Sequence, residues 1–242
     1  MCLLARIKMN TKHFKVDGRD LVLHFRDLPG VAEIIEEVVV QDCYQFQRLR
    51  NCGVVFNRVI DVGAHMGIAC AMLRHFWPKV EILAIEPHEE YAEFIVENGA
   101  DYIFSMAVQY APNRSFYVSP ISGGSLVYDP TVNFSEDIPR DYTKRLLVPM
   151  TTLEDIVDKV WKDGAIDLLV CDAEGAEIDL LCNMTAPLRN RIRMMLGELH
   201  HIAGFRYIEQ IIKLRYPHWK SECWGDPNAS MSMFAALPKD GK

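Results

Sequence analysis

Residues 57–76 read NRVIDVGAHMGIACAMLRHF. The apolar run from Val59 to Val62, interrupted by Asp61, predicts a buried strand that stops at Gly63. Gly67 follows four residues later, and the spacing of Ile68 to Phe76 predicts the helix that the turn feeds. A strand, a glycine turn and a helix in that order open a parallel α/β sheet. The glycine spacing restricts what the turn can hold. A dinucleotide loop needs Gly-x-Gly-x-x-Gly, and here His65 fills the middle glycine position. A P-loop needs Gly-Lys-Ser/Thr, which does not follow.

A second acid sharpens this reading. Glu86 closes the next apolar run, Glu81 to Ile85, in the stretch ILAIEP. A carboxylate at that strand end accepts hydrogen bonds from both hydroxyls of a ribose. Acids without a phosphate clamp favour S-adenosyl-L-methionine, which carries a sulfonium and an amino-acid end and no phosphate. Gly63 is read as the tight turn, Gly67 as the point where a ligand closely approaches the helix start, and Asp61 as the acceptor for the ligand's amino group, directly or through water.

The alternation continues along the chain. Glu89 to Asn98 predicts a helix and Ile103 to Val108 a third strand. Thr151 or Thr152 caps a helix through Leu153, Ile156 and Val157. Ile166 to Cys171 reads as a strand covered on both faces, and Met194 to Leu196 as the next. The tail predicts a helix over Tyr207 to Leu214 and two antiparallel strands, Trp219 to Trp224 and Met231 to Leu237, around a Gly-Asp-Pro-Asn turn. Upstream, Leu21 to Phe25 alternates like a strand, and Val31 to Arg50 has mixed helical spacing expected to pack at the sheet edge. The expected organisation is residues 1–54 as N-terminal elements packed on a main domain, 55–242, with an insertion at 113–145 rich in Ser, Pro, Gly and Asp.

Four further motifs extend the pattern: TTLEDI at 151–156, DAEGAE at 172–177, GELH at 197–200, and IEP at 85–87 after DVGAHMG at 61–67. In this order and spacing, over roughly residues 55 to 237, the chain resembles the FkbM-type family of S-adenosyl-L-methionine-dependent methyltransferases. The resemblance implies a Rossmann-like methyltransferase fold: a mostly parallel seven-stranded sheet with an antiparallel C-terminal strand and helices on both faces. It also implies methyl transfer, commonly to a hydroxyl of a sugar, glycan or natural product. The donor would be bordered by Asp61, Gly63, Ala64, His65, Gly67, Glu86 and Pro87, with Ser105, Met106 and Ala107 beside the adenine and Asp172 near the methyl. Val170 and Cys171 depart from the family pattern, which often has Lys two residues before the Asp of DAEGAE.

Methyl transfer to oxygen requires alignment, exclusion of water and a proton acceptor. Asp172 is the first choice for base or acceptor orienter, although an ordinary aspartate with a pKa of about 3.9 is a weak base for an alcohol. Glu174 is placed to hydrogen-bond the acceptor or the loop backbone, partial burial beside it would raise the pKa of Asp172, and Glu177 is placed to support the loop. His200 is a rival base with a better-matched pKa. Asp172, Glu198 and His200 are of types that also coordinate divalent cations, but their spacing specifies no metal, and none is assigned.

The formal charge of −7 removes the usual electrostatic argument for a nucleic-acid partner, with Arg140, Lys144 and Arg145 as the one basic grouping to set against it. No apolar run is long enough to span a membrane. Seven scattered cysteines with no Cys-x-x-Cys pair, and a start whose apolar run precedes its basic residues, point to a cytoplasmic setting. The competing readings are an adenosyl-binding module that no longer catalyses, for which Val170 is the motive, and an NAD-type oxidoreductase, which the glycine spacing opposes.

Overall fold

The computed structural model describes residues 8–110, 115–118, 126–128, 144–146, 148–200, 204–224 and 231–239. The elements follow in order. A hairpin of β1 (Asn10–Val16) and β2 (Arg19–Phe25) leads to α1 (Val31–Ile35) and α2 (Phe46–Asn51). Next come β3 (Arg58–Val62), α3 (Ile68–Phe76), β4 (Glu81–Ile85), α4 (Ala92–Glu97), β5 (Tyr102–Phe104) and β6 (Ala107–Val108). The short strands β7 (Ser115–Val118), β8 (Leu126–Tyr128) and β9 (Lys144–Leu146) form an antiparallel sheet of their own. The chain continues with β10 (Met150–Thr151), α5 (Leu153–Val160), β11 (Leu168–Cys171), α6 (Glu177–Asn183), α7 (Ala186–Arg189) and β12 (Met195–His200). It closes with α8 (Gly204–Arg215), β13 (Trp219–Trp224) and β14 (Met231–Pro238).

Seven strands form the main sheet in the order β13-β14-β12-β11-β3-β4-β5. Strands β3, β4, β5, β11 and β12 run parallel, and β14 lies antiparallel between β12 and β13. Side chains alternate across the sheet, as the two-residue strand period requires. Val59, Ala84, Leu168 and Val170 enter one apolar cluster, with α3, α4 and the N-terminal elements. Ile60, Leu83, Leu169 and Cys171 enter the other, with α5, α6 and α8. Both faces are therefore covered by helices, which explains why these strands read as continuous apolar runs.

Two expected elements differ. The single strand expected over Ile103 to Val108 is divided at Ser105: β5 joins the main sheet, whereas β6 pairs with β10 in a separate parallel pair. Val31 to Val40 begins as α1 and widens over Glu36–Val40 into a π-type turn, with the Gln41 amide donating to the Glu36 carbonyl at 2.9 Å. This segment packs on the α3 side of the sheet, in the cluster that contains Val170, rather than at an edge. The hairpin is tied to the glycine loop by Asn98, whose amide donates to the carbonyls of His24 and Met66, both at 2.7 Å.

The turn at 225–228, Phe134, Tyr142, Arg140 and His201 lie outside the described residues, as do the side chains of Tyr117, Tyr128, Lys144 and Arg145. No helix among the described residues is long and apolar enough to cross a membrane.

Candidate functional site

The chain reverses direction across the sheet between β3 and β11: one half of the strands extends outward from each. Such a switch point leaves a crevice beyond the carboxyl ends of the strands. A cavity of about 660 Å³ lies there, within the range of about 300–1,000 Å³ usual for small-molecule sites. Its walls come from the ends of β3, β4, β11 and β12, from Met106 and β6, and from α1 and the segment after it. Among the described residues six carboxylates line it (Glu33, Glu37, Glu86, Asp172, Glu174 and Glu198), and no Lys or Arg does.

At one end, Glu86 is buried and holds the glycine loop. One carboxylate oxygen accepts the His65 amide and the other the His88 amide, each at 2.9 Å. Burial raises its pKa to about 7, against the opposing effect of those two hydrogen bonds. Val62, Gly63, His65, Ile85, Pro87, Met106 and Ala107 lie on the same wall. His65 has a left-handed backbone, φ 50°, and its ring meets Tyr91 edge-on at 4.9 Å. Burial, with His88 close by, depresses His65 to about 3, so it is neutral at physiological pH.

Gly63 makes the tight turn expected of it, whereas Gly67 and Asp61 have different surroundings from those expected. Gly63, at φ 84°, passes directly over the end of β11: a Cβ there would lie 1.8 Å from the Asp172 carbonyl oxygen. Gly67, at φ 76°, backs onto α4, where a Cβ would lie 3.0 Å from Ile95 Cα. Gly67 thus permits close packing of α4, and the close ligand approach expected at that position is not what its surroundings require. Asp61 is 1% exposed and off the cavity wall, its Oδ2 accepting the Cys70 thiol at 3.2 Å. Ala64 is buried behind the loop, its amide donating to the Ile85 carbonyl, and neither it nor Ser105 reaches the wall.

Burial raises Asp61 to about 7. Its folded pKa lies above the ordinary value of about 3.9, so the folded state binds the extra proton between those values. The stabilisation this brings is complete at low pH and is lost as pH rises through about 7. Asp61→Asn abolishes that titration. The stability of the variant relative to the wild type, followed by thermal melting, should therefore rise steadily between pH 4 and pH 8, on the order of a few kcal/mol in total. Parallel pH profiles of the two proteins would contradict the assignment.

At the other end, the acids of DAEGAE converge with β12. Glu198 and His200 are two residues apart on β12 and share one face. His200 Nδ1 is 2.9 Å from Glu177 Oε1, and its Nε2 is 3.3 Å from Glu174 Oε2 and 3.9 Å from Asp172 Oδ1. Glu177 is fixed in turn, its carboxylate accepting the amides of Ala173 and Gly175 at 3.0 Å each. Glu174 has φ 46°, which turns its side chain back toward His200. Burial opposes a charged His200, but Glu174, Glu177 and Asp172 outweigh it and raise its pKa well above the usual value. Burial, together with Asp172, lifts Glu198 to about 8. Asp172 is also raised by burial, while His200 and Tyr44 act to lower it. The expected rivals, Asp172 and His200, therefore belong to one array.

Tyr44 was not foreseen. Its hydroxyl donates to Asp172 Oδ2 at 2.7 Å across 128 positions of sequence. The π-type turn and Asp42 position it: Asp42 caps α2 by accepting the amides of Phe46 and Gln47 at 2.8 and 3.0 Å. Glu37, Tyr91 and His88 are further wall residues missed from sequence. The one local trace is Asp42, a capping-type residue four positions ahead of the helix start at Phe46. Val170, 0% exposed, sits in the core under α3 and away from the wall.

A family model described as the methyltransferase FkbM domain matches residues 61–219. No curated protein matches the chain. Among solved structures, the METTL16 MTase domain (crystal form 2) aligns with 12% identity and a TM-score of 0.46, over 86% of this chain and 66% of that one. The human methyltransferase 10 domain containing protein aligns with 13% identity and a TM-score of 0.46, over 82% and 80%. The ribosomal protein L11 methylase from Lactobacillus delbrueckii subsp. bulgaricus aligns with 15% identity and a TM-score of 0.42, over 81% and 79%. At these scores the likeness bears on neither substrate nor mechanism.

Proposed function

The chain belongs to the FkbM family of S-adenosyl-L-methionine-dependent methyltransferases, and from that premise we propose that it methylates a hydroxyl oxygen of a small-molecule or glycan acceptor. The observation that carries this reading is the cavity itself, with Glu86 at one end and the Asp172–His200 array at the other.

The wall suits the donor. Its described residues include no Lys or Arg for phosphates, and buried Glu86 keeps acceptor capacity on both oxygens for ribose hydroxyls. Carboxylates around the cavity favour a cationic ligand over an anionic one. Glu86, Gly63, His65, Pro87, Met106 and Ala107 would hold the donor, with Asp61 and Gly67 supporting the loop from behind. When bound, S-adenosyl-L-methionine supplies a methyl group on an electrophilic sulfonium.

The remaining work falls to this chain. Asp172, at the mouth of β11, receives the acceptor hydroxyl and takes its proton, and Tyr44 holds the carboxylate in one orientation. Burial favours that role by raising the carboxyl above the ordinary aspartate range. Glu174 and His200 frame the acceptor beside it. Pro29, Ile34 and Val38, from α1 and its flanking segments, present apolar surface that excludes water.

The test is calorimetric titration with S-adenosyl-L-methionine and with NAD, followed by labelled-methyl transfer to panels of sugars and phenols. Donor binding without NAD binding, and label on oxygen, is the expected outcome. Label on nitrogen or carbon would overturn the O-directed reading. Glu86→Gln should weaken donor binding about 10- to 100-fold, since hydrogen bonds to a charged group contribute about 1.5–3 kcal/mol. Unchanged affinity would remove Glu86 from the donor site.

A further inference from the structure

We propose that Asp172, Glu174 and His200 form a binding site for one divalent cation, of the kind that accepts mixed carboxylate and imidazole ligands. Three independent features support it.

The first is geometry. One ligand atom from each of the three residues lies within 4.8 Å of the other two. Ligands at about 2.0–2.4 Å from a six-coordinate ion are separated by distances of this order. The set of two carboxylates and one imidazole suits a first-row ion such as Mn²⁺.

The second is the support behind His200. Its Nδ1 faces Glu177 Oε1 at 2.9 Å, and Glu177 is 1% exposed and clamped by the amides of Ala173 and Gly175. A buried carboxylate that fixes one ring nitrogen turns the other toward the ligand position. Here Nε2 is aimed between Glu174 and Asp172.

The third is Glu198. It is 9% exposed, lines the cavity beside the three ligands, and makes no hydrogen bond or ion pair among the described residues. A buried acid with no hydrogen-bond partner, in a wall whose described residues include no Lys or Arg, is a group whose carboxylate form a cation arriving from outside would stabilise.

The ion's remaining positions would face the cavity and take an acceptor oxygen. Ion binding rests on the array alone and not on the methyl-transfer reading, so its test omits the donor.

Mn²⁺ is titrated into the donor-free protein and followed by calorimetry and electron paramagnetic resonance. The expected result is one Mn²⁺ per chain with a dissociation constant below about 1 mM, and a nitrogen hyperfine coupling from His200. Glu174→Gln should weaken binding at least 10-fold. Glu177→Gln, a positioning change, should weaken it about 10- to 100-fold. Glu97→Gln, at the end of α4, should leave it unchanged. No saturable binding, no nitrogen coupling, or wild-type affinity in both Glu174→Gln and Glu177→Gln would overturn the proposal. If a variant does not fold, the coupling in the wild-type protein decides.

Discussion

Asp172→Asn should reduce turnover by about 10²- to 10⁴-fold, the contribution usual for a positioned proton acceptor, while donor affinity changes by no more than a few-fold. The substitution preserves shape: the amide oxygen still accepts the Tyr44 hydroxyl that now lies 2.7 Å from Oδ2. It removes the charge that receives the acceptor proton or holds a cation beside Glu174 and His200. The loss is expected in kcat, because the interaction strengthens as the acceptor oxygen gains charge. Tyr44→Phe should give a smaller decrease of about 10- to 100-fold, the value of one charge-assisted hydrogen bond. Donor binding measured by calorimetry and turnover measured with labelled methyl separate the two effects. Full turnover in Asp172→Asn would move the chemistry to Glu198 or His200.

Gly63→Ala should destabilise the whole domain. The left-handed backbone at φ 84° costs a side chain about 1–2 kcal/mol. The added Cβ would also lie 1.8 Å from the Asp172 carbonyl oxygen and 2.6 Å from its carbon. Both contacts are main chain, so no side chain can rotate away and the loop or the end of β11 must move. Overpacking of this kind adds about 1–3 kcal/mol. The total of about 2–5 kcal/mol corresponds to roughly 4–20 °C in melting temperature for a chain of this size. The control is Gly53→Ala: Gly53 has φ 80°, and a Cβ added there would meet nothing within 4 Å, so this variant should show only the backbone cost. Equal melting temperatures for the two variants would show that the approach of the loop to β11 is not tight. Since the same movement displaces Asp172, any folded Gly63→Ala protein should also lose turnover.

Local pattern explains what was legible in the sequence. Val59 to Val62, Glu81 to Ile85 and Leu168 to Cys171 announce themselves because burial on both faces leaves few polar residues to interrupt them. The acids Glu86, Asp172 and Glu174 were found because each closes or follows such a strand, and parallel strands bring those ends to one edge. The division of Ile103 to Val108 at Ser105 was not visible. It depends on β6 finding β10, whose sequence lies about forty residues away, and a strand's choice of partner has no local signature.

Sequence alone set the order of elements, the edge of the sheet proposed to carry the site, and the expectation of a ligand without phosphates. These follow from periodicity and from glycine positions, which are properties of neighbouring residues. Tertiary structure decided which groups meet. It placed Tyr44 on Asp172, Glu177 behind His200, and Asp61 beneath the loop instead of on the cavity wall. It also showed that Gly63 and Gly67 are needed for contact with β11 and α4. Each of these is a contact between segments distant in the chain, set by how the layers pack, and packing is not written in any single stretch of residues.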